Sequence, residues 1–464
     1  MMLKLFRNRV HQRHLDITNG PMTRNVLAYA LPVFVSGVLQ LLFGAADSIV
    51  VGRYSGSQAL AAVSSTGTLT GLLICLFIGI SSGSSILVSR YVGAREYKSV
   101  QDTVHTSVLV AFISGIILMI LGSLLARPML KMMDTPDDVI DLSALYLKII
   151  FAGMPLQMIY NFCSAILRAV GDTKRPLYFL TTAGVVNVIL NLIFVIVFDM
   201  SVAGVALATV ISHVVSAALV VRSLTLREDA TRLFFRKLRI KPDIMMKLLH
   251  LGLPAGIQSA TFSLSGMLIQ SSINSFGSVA MAGIGAATSI SGFINNALDA
   301  FSQANTCFVS QNYGARKPRR ILRAVYTCLG LGSIFVAAFS VVTIIFGRQL
   351  LSLYVKDPDA IDWGMIRIIY LHVPYVLGCV QSIFLGALRG IGYSILAMTI
   401  SLIGICGLRI LWLYTAFAAY PTMACLITSY GVSWLFTAPA AGICFFLLYK
   451  RICKEHTPEE MAQQ

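Results

Sequence analysis

Residues 88–95 read Val-Ser-Arg-Tyr-Val-Gly-Ala-Arg, and residues 309–316 read Val-Ser-Gln-Asn-Tyr-Gly-Ala-Arg. Each stretch closes a long apolar run. Two further pairs repeat in the same order at nearly the same spacing. Leu31-Pro32 recurs as Leu253-Pro254, and Leu167-Arg168-Ala169-Val170-Gly171 recurs as Leu388-Arg389-Gly390-Ile391-Gly392, each about 221 residues further on. Three landmarks in register mark a duplicated unit rather than chance. Within a membrane-spanning chain, duplicated helix bundles build secondary transporters, with the substrate path between the repeats.

The surrounding composition puts those repeats in a bilayer. The chain of 464 residues is 56% hydrophobic and 12% charged, with a mean hydropathy of +0.78. Soluble domains carry about 25% charged residues. The apolar residues fall in separated runs near the ~20 residues that cross a membrane. Such runs are too long and continuous for barrel strands, and helices satisfy their own backbone, so the expected fold is all-α. Twelve spans are predicted near 25–52, 58–89, 102–126, 142–166, 176–198, 202–221, 246–272, 279–311, 322–347, 364–387, 393–416 and 424–449.

Charge orients them. A net charge of +16 on a soluble domain would suggest nucleic acid, but here 28 of the 36 Lys and Arg fall on the side holding both termini. Only Arg53, Arg127, Lys131, Arg348, Lys356 and Arg367 fall opposite. The positive-inside rule therefore predicts cytoplasmic termini, a multi-pass protein of the cell membrane and no nucleic-acid partner. The nine cysteines form no C-x-x-C pair or Cys/His cluster, so no metal centre or disulfide framework is expected. Residues 1–24, with Lys4, Arg7, Arg9 and Arg13, read as a cytoplasmic segment rather than a cleaved leader.

Six spans per half make the repeats parallel, facing each other across a central cavity. The first lobe is expected over 25–222 and the second over 246–450, with a basic surface linker at 223–245 and a cytoplasmic tail at 451–464. Pro32 and Pro254 read as opening spans one and seven, where a lost backbone donor makes a hinge or a static kink.

Charges inside the spans are few: Asp47, Lys148, Asp299 and Arg409. Each costs free energy in hydrocarbon and needs a reason. Lys148 can snorkel outward. Asp47 lies ~9 Å below the outer surface at 1.5 Å per residue. Asn187 and Asn191 share a face of span five, Asn191 ~8 Å from the outer side, and Thr209 lies ~10 Å down span six. One carboxylate, two amides and a hydroxyl compose a small-cation or proton site. Asn and Thr alone would read as interhelical glue. Asp299 reads as a cavity-lining acid or as a partner of Arg409, and Arg409 as bonded to backbone carbonyls or to Asp299. With Asn295 and Gln258 they form a candidate second-lobe polar set.

These features together resemble the multidrug and toxic compound extrusion family, MATE, over nearly the whole chain. The resemblance rests on Ala46 to Gly52, Val88 to Arg95 with Val309 to Arg316, Leu167 to Gly171, Gly386 to Gly392, and Asn187 to Asn191 followed by Gly204 to Thr209. It implies two six-helix lobes in a V, exporting substrate against H⁺ or Na⁺. It places Asp47 at the family's acidic position in span one. The position of Asn191 is commonly aspartate in relatives, and one branch carries acids at the positions of Phe262 and Gly378. A single carboxylate favours protons, with Na⁺ the alternative at Asp47 and no cofactor beyond the coupling ion. The expected substrate is an amphipathic organic cation held largely by contact area. The expected protein is a monomer, and not an enzyme. A lipid-linked sugar flippase of the same superfamily is the alternative; it would need several cavity Arg or Lys to hold a pyrophosphate.

Overall fold

The computed structural model describes residues 15–133 and 135–455. Most of the 1–24 segment, with Lys4, Arg7, Arg9 and Arg13, and the tail beyond Glu455 lie outside the described residues. Every regular element among the described residues is helical. The first half holds α1 (Met22–Tyr54), α2 (Ser57–Gly93), α3 (Tyr97–Met132), α4 (Asp137–Ala152), α5 (Met154–Ala169), α6 (Lys174–Leu192) and α7 (Ser201–Thr225). A π-turn, Ile193–Val197, prolongs α6. The second half holds α8 (Pro242–Asn274), α9 (Ser278–Gly314), α10 (Pro318–Ile345), the short α11 (Gly347–Ser352), α12 (Pro358–His372) and α13 (Tyr375–Gly390). Then α14 (Ser394–Ser401) and α15 (Leu408–Trp412) are each followed by a π-turn, Leu402–Gly407 and Leu413–Phe417, and α16 (Met423–Glu455) closes the described chain.

Nine continuous helical segments among the described residues are long and apolar enough to cross a membrane. The pairs α4 with α5 and α12 with α13 supply two more, bent by 48° and 47°. The bends fall at Gly153, just before Pro155, and at Pro374, where helix hydrogen bonding is interrupted. The twelfth span is α8, whose Gln258, Ser259, Thr261, Ser263 and Ser265 make it too polar to pass on composition alone. It needs less apolar surface because its longest packing partner is α2 rather than lipid.

The duplication extends to backbone geometry. Left-handed residues pair at Gly56 and Gly277 (φ 88° and 93°), Arg95 and Arg316 (58° and 54°), and Gly171 and Gly392 (84° and 103°). Arginines in this region are strained, so their recurrence marks one turn used twice.

The two halves meet along a seam of glycines. A Cβ on Gly79 would overlap the backbone of Gly256, and one on Gly83 would crowd the backbone of Gly252. Nearer the termini, a Cβ on Gly93 would strike the Gln311 carbonyl, and one on Gly314 the Arg90 carbonyl. Ser310 Oγ donates to Ile86 O at 2.9 Å and Gln311 Nε2 to Ala169 O at 2.6 Å, with Cys307 buried between them. At the far end, Gly67 and Gly71 of α2 and Gly266 of α8 have nothing within 4 Å. The lobes thus touch over the half nearest the termini and diverge beyond it, which is a V.

Pro32 and Pro254 do not open their helices. Both lie inside continuous helices, α1 and α8, some three turns from the start, and both are buried. Ser36 Oγ donates to the Pro32 carbonyl at 2.8 Å. The linker docks on the first half: His105 Nε2 accepts from Phe234 N at 3.1 Å, and Lys241 pairs with Asp102. Arg227 bridges Asp172 (3.3 Å) and Asp229 (2.7 Å). Burial opposes charge on Asp229, but bonds from Arg227 and Thr231 prevail and hold its carboxyl below the ordinary range.

Candidate functional site: an unpaired carboxylate in the first lobe

Helix α1 can approach α6 closely because Gly184 has no side chain; a Cβ there would overlap the Phe43 ring. One turn beyond Phe43, Asp47 then faces the next turns of α6. Asn191 Nδ2 donates to Asp47 Oδ1 at 2.5 Å and to Asn187 Oδ1 at 3.3 Å. Asn187 Nδ2 donates to Thr209 Oγ1 on α7 at 3.2 Å, and Thr209 Oγ1 donates to Val205 O at 2.9 Å. The four residues read from the sequence as one group are therefore one hydrogen-bonded chain across three helices. Both asparagines are buried, and Asp47 is half-buried.

Two features tie this chain to ion chemistry. Asp47 has no ion pair among the described residues, so its charge is balanced by amide dipoles alone. A hydrogen bond to a charged group stabilises by roughly 1.5–3 kcal/mol, which falls short of a buried ion's desolvation. Asn191 Oδ1, moreover, is buried without a hydrogen-bond partner. A carboxylate beside an orphan amide oxygen can take up a proton or a small hard cation. Tyr146 of α4 lies within electrostatic reach of Asp47 and extends the group. Sequence reasoning missed it, because a tyrosine in an apolar span carries no local signal until the fold is known.

The second-lobe set does not assemble as expected. Asp299 is not paired with Arg409; the charge of Arg389 acts on it from beyond ion-pair distance. Arg409 instead lies over the Tyr430 ring at 4.1 Å and donates to Ser433 Oγ at 3.2 Å. Gln258 is buried and donates to Ser401 Oγ at 2.9 Å, a bond from α8 to α14. Asn295 accepts from Tyr375 Oη at 3.2 Å. Asn295, Asp299 and Gln303 form an exposed stripe at four-residue spacing on α9, which packs against α1, α2, α10, α12 and α13.

An all-helical chain of twelve spans, duplicated and splayed about a central cleft, is built as a membrane transporter. Comparison with known proteins specifies which kind. The MatE family model matches residues 32–193 and again 254–415, once per lobe, and the chain belongs to that family. It is 30% identical over 396 residues to "Probable multidrug resistance protein YoeA" of Bacillus subtilis (strain 168), covering 83% of this chain and 85% of that protein. It is 25% identical over 447 residues to the "FAD transporter" of Shewanella oneidensis, covering 95% and 97%. Among solved structures, "Outward-facing conformation of a multidrug resistance MATE family transporter of the MOP superfamily" matches with a TM-score of 0.89 at 19% identity. That match covers 96% of this chain and 99% of the other, and it bears on the fold alone.

Proposed function

We propose that this protein is a secondary antiporter that exports amphipathic small molecules in exchange for a cation bound at Asp47. The observation that carries this reading is the hydrogen-bonded chain from Asp47 through Asn191 and Asn187 to Thr209, with its uncompensated carboxylate. Proton uptake neutralises Asp47 and makes it a donor as well as a weaker acceptor, so Asn191 can turn its amide oxygen toward the new O–H. That couples the charge of α1 to the position of α6 and α7. A proton is the coupling ion that best suits one carboxylate; Na⁺, with Asn191 Oδ1 as a further ligand, is the alternative.

In this reading both termini are cytoplasmic, the seam closes the cytoplasmic half, and the V opens outward. Exchange then requires the seam to part while the far halves close. The exposed Asn295, Asp299 and Gln303 stripe offers one carboxylate to a substrate's cationic group. The test is efflux of a fluorescent cationic dye from vesicles under an imposed pH gradient, with wild type and Asp47→Asn. Wild-type protein should export and the variant should not, at equal abundance. Export by the variant at the wild-type rate would overturn the assignment.

A further inference from the structure

The second lobe holds a charge cluster that coupling does not use. Arg367 on α12 is 7% exposed, and its Nε is buried without a hydrogen-bond partner. Its guanidinium lies 5.9 Å from the Tyr430 ring, the same ring that Arg409 covers at 4.1 Å. Neither arginine forms an ion pair among the described residues: Asp362 pairs with Arg348, and Asp299 pairs with neither. Two neighbouring guanidiniums within membrane spans, sharing one aromatic ring and no carboxylate, call for an anion.

Their position is as informative as their charge. The landmark pairs and the family match set the repeat offset at 221 to 222 residues. That offset carries Tyr146 to Arg367 at 221 and Asn187 to Arg409 at 222, and it carries Thr209 to Gly431, the residue next to Tyr430. Asp47 is carried to Ile269, which is apolar and buried. The cluster is thus the counterpart of the first-lobe site with its sign reversed.

Its walls define the ligand. Tyr375 and Trp434 are buried with ring centroids 5.2 Å apart, and Tyr430 lies 6.2 Å from Trp434. Arginine forks match carboxylate and phosphate oxygens, and aromatic walls favour an aryl body. Asn295, exposed on α9 and bonded to Tyr375, marks the way in from the cleft. We propose that Arg367, Arg409 and Tyr430 form a site for the carboxylate or phosphate of an aryl substrate. This rests on the exporter reading and narrows its cargo to molecules with an anionic group, including zwitterions whose cationic end meets Asp299.

The experiment measures binding without any gradient, so failure of coupling at Asp47 leaves its outcome intact. Trp434 is the reporter, in purified full-length protein carrying Trp363→Phe and Trp412→Phe. The quenchers are 4-nitrophenyl phosphate and the neutral 4-nitrobenzyl alcohol, with inorganic phosphate as competitor. The aryl phosphate should bind at least tenfold tighter than the alcohol, and inorganic phosphate should compete at least tenfold more weakly than the aryl phosphate. Arg367→Gln and Arg409→Gln should each erase the preference for the charged quencher, and Arg409→Lys should keep part of it. If either glutamine variant does not fold, Tyr430→Leu should still lower affinity for both quenchers. Equal binding of the two quenchers, or a preference that survives both glutamine variants, overturns the site. Inorganic phosphate competing as well as the aryl phosphate overturns the aryl substrate.

Discussion

Replacing Gly79 by alanine adds one methyl group at a point where the backbones of the two lobes touch. The added Cβ would overlap the backbone nitrogen and Cα of Gly256, so no rotamer change on a neighbour can relieve it. Overpacking of this kind costs about 1–3 kcal/mol. The penalty falls only on the state in which the seam is closed. It therefore shifts the balance between closed and parted seam by a factor of about 5–150, since each 1.4 kcal/mol is tenfold. A native thiol reports the shift: Cys307 is 2% exposed, with Sγ 3.5 Å from Ser89 Oγ and from the Ala169 carbonyl across the seam. The labelling rate of Cys307 by a small maleimide, read by peptide mass spectrometry, should rise by that factor in Gly79→Ala. Gly67→Ala and Gly71→Ala on the same helix, where nothing lies within 4 Å, should leave it unchanged. A rise of equal size in all three, or in none, would refute the argument that backbone contact at Gly79 holds the seam.

Thr209→Val removes the bond that Asn187 donates, worth about 1 kcal/mol, so the apparent affinity for the driving ion should fall about fivefold in vesicle exchange assays. Asn191→Asp adds a second carboxylate beside Asp47 and should move the preferred driving ion from H⁺ toward Na⁺, seen as Na⁺-stimulated efflux at constant pH. Asp229→Asn weakens the clamp around Arg227, so trypsin should cut the linker at Arg232 or Arg236 several-fold faster in membranes with transport intact. Unchanged cleavage would mean that the linker is held by its contacts to α3 instead.

The twelve spans and the first-lobe group were legible in the sequence for separate reasons. Span length and charge asymmetry are imposed by the bilayer, so they survive in any single chain. Asp47, Asn187, Asn191 and Thr209 could be grouped because helical rise converts sequence position into depth, and polar atoms at one depth are few. Depth says nothing about azimuth, and that is where the second lobe misled. Asp299 and Arg409 share the membrane interior without pairing, and Arg409 lies over Tyr430 instead. Arg367 was counted with the outer connection because it sits near the start of its span, and only the packing of α12 against α16 shows it enclosed. Pro32 and Pro254 already lie seven and eight residues inside the expected spans, and the helices start three and four residues earlier still, so both sit within α1 and α8 rather than at their ends.

The π-turns bear on how the two lobes came to differ. A π-turn spends one more residue per turn than the α-helix around it. The fifth span of the first lobe contains one such turn, Ile193–Val197, and its counterpart contains two, Leu402–Gly407 and Leu413–Phe417. The repeat offset is 221 residues between Gly171 and Gly392 and 222 between the starts of the sixth spans, Ser201 and Met423. A single inserted residue, absorbed as a bulge, is taken up within that turn, so the helix beyond it keeps its facing with its numbering moved on by one. Such an insertion brings Arg409 rather than Leu408 into register with Asn187. Gene duplication supplies two identical pockets, and a bulge of this kind lets one copy gain a residue while its pocket positions keep their place, so that Asn187 and Arg409 came to differ by substitution without repacking the bundle.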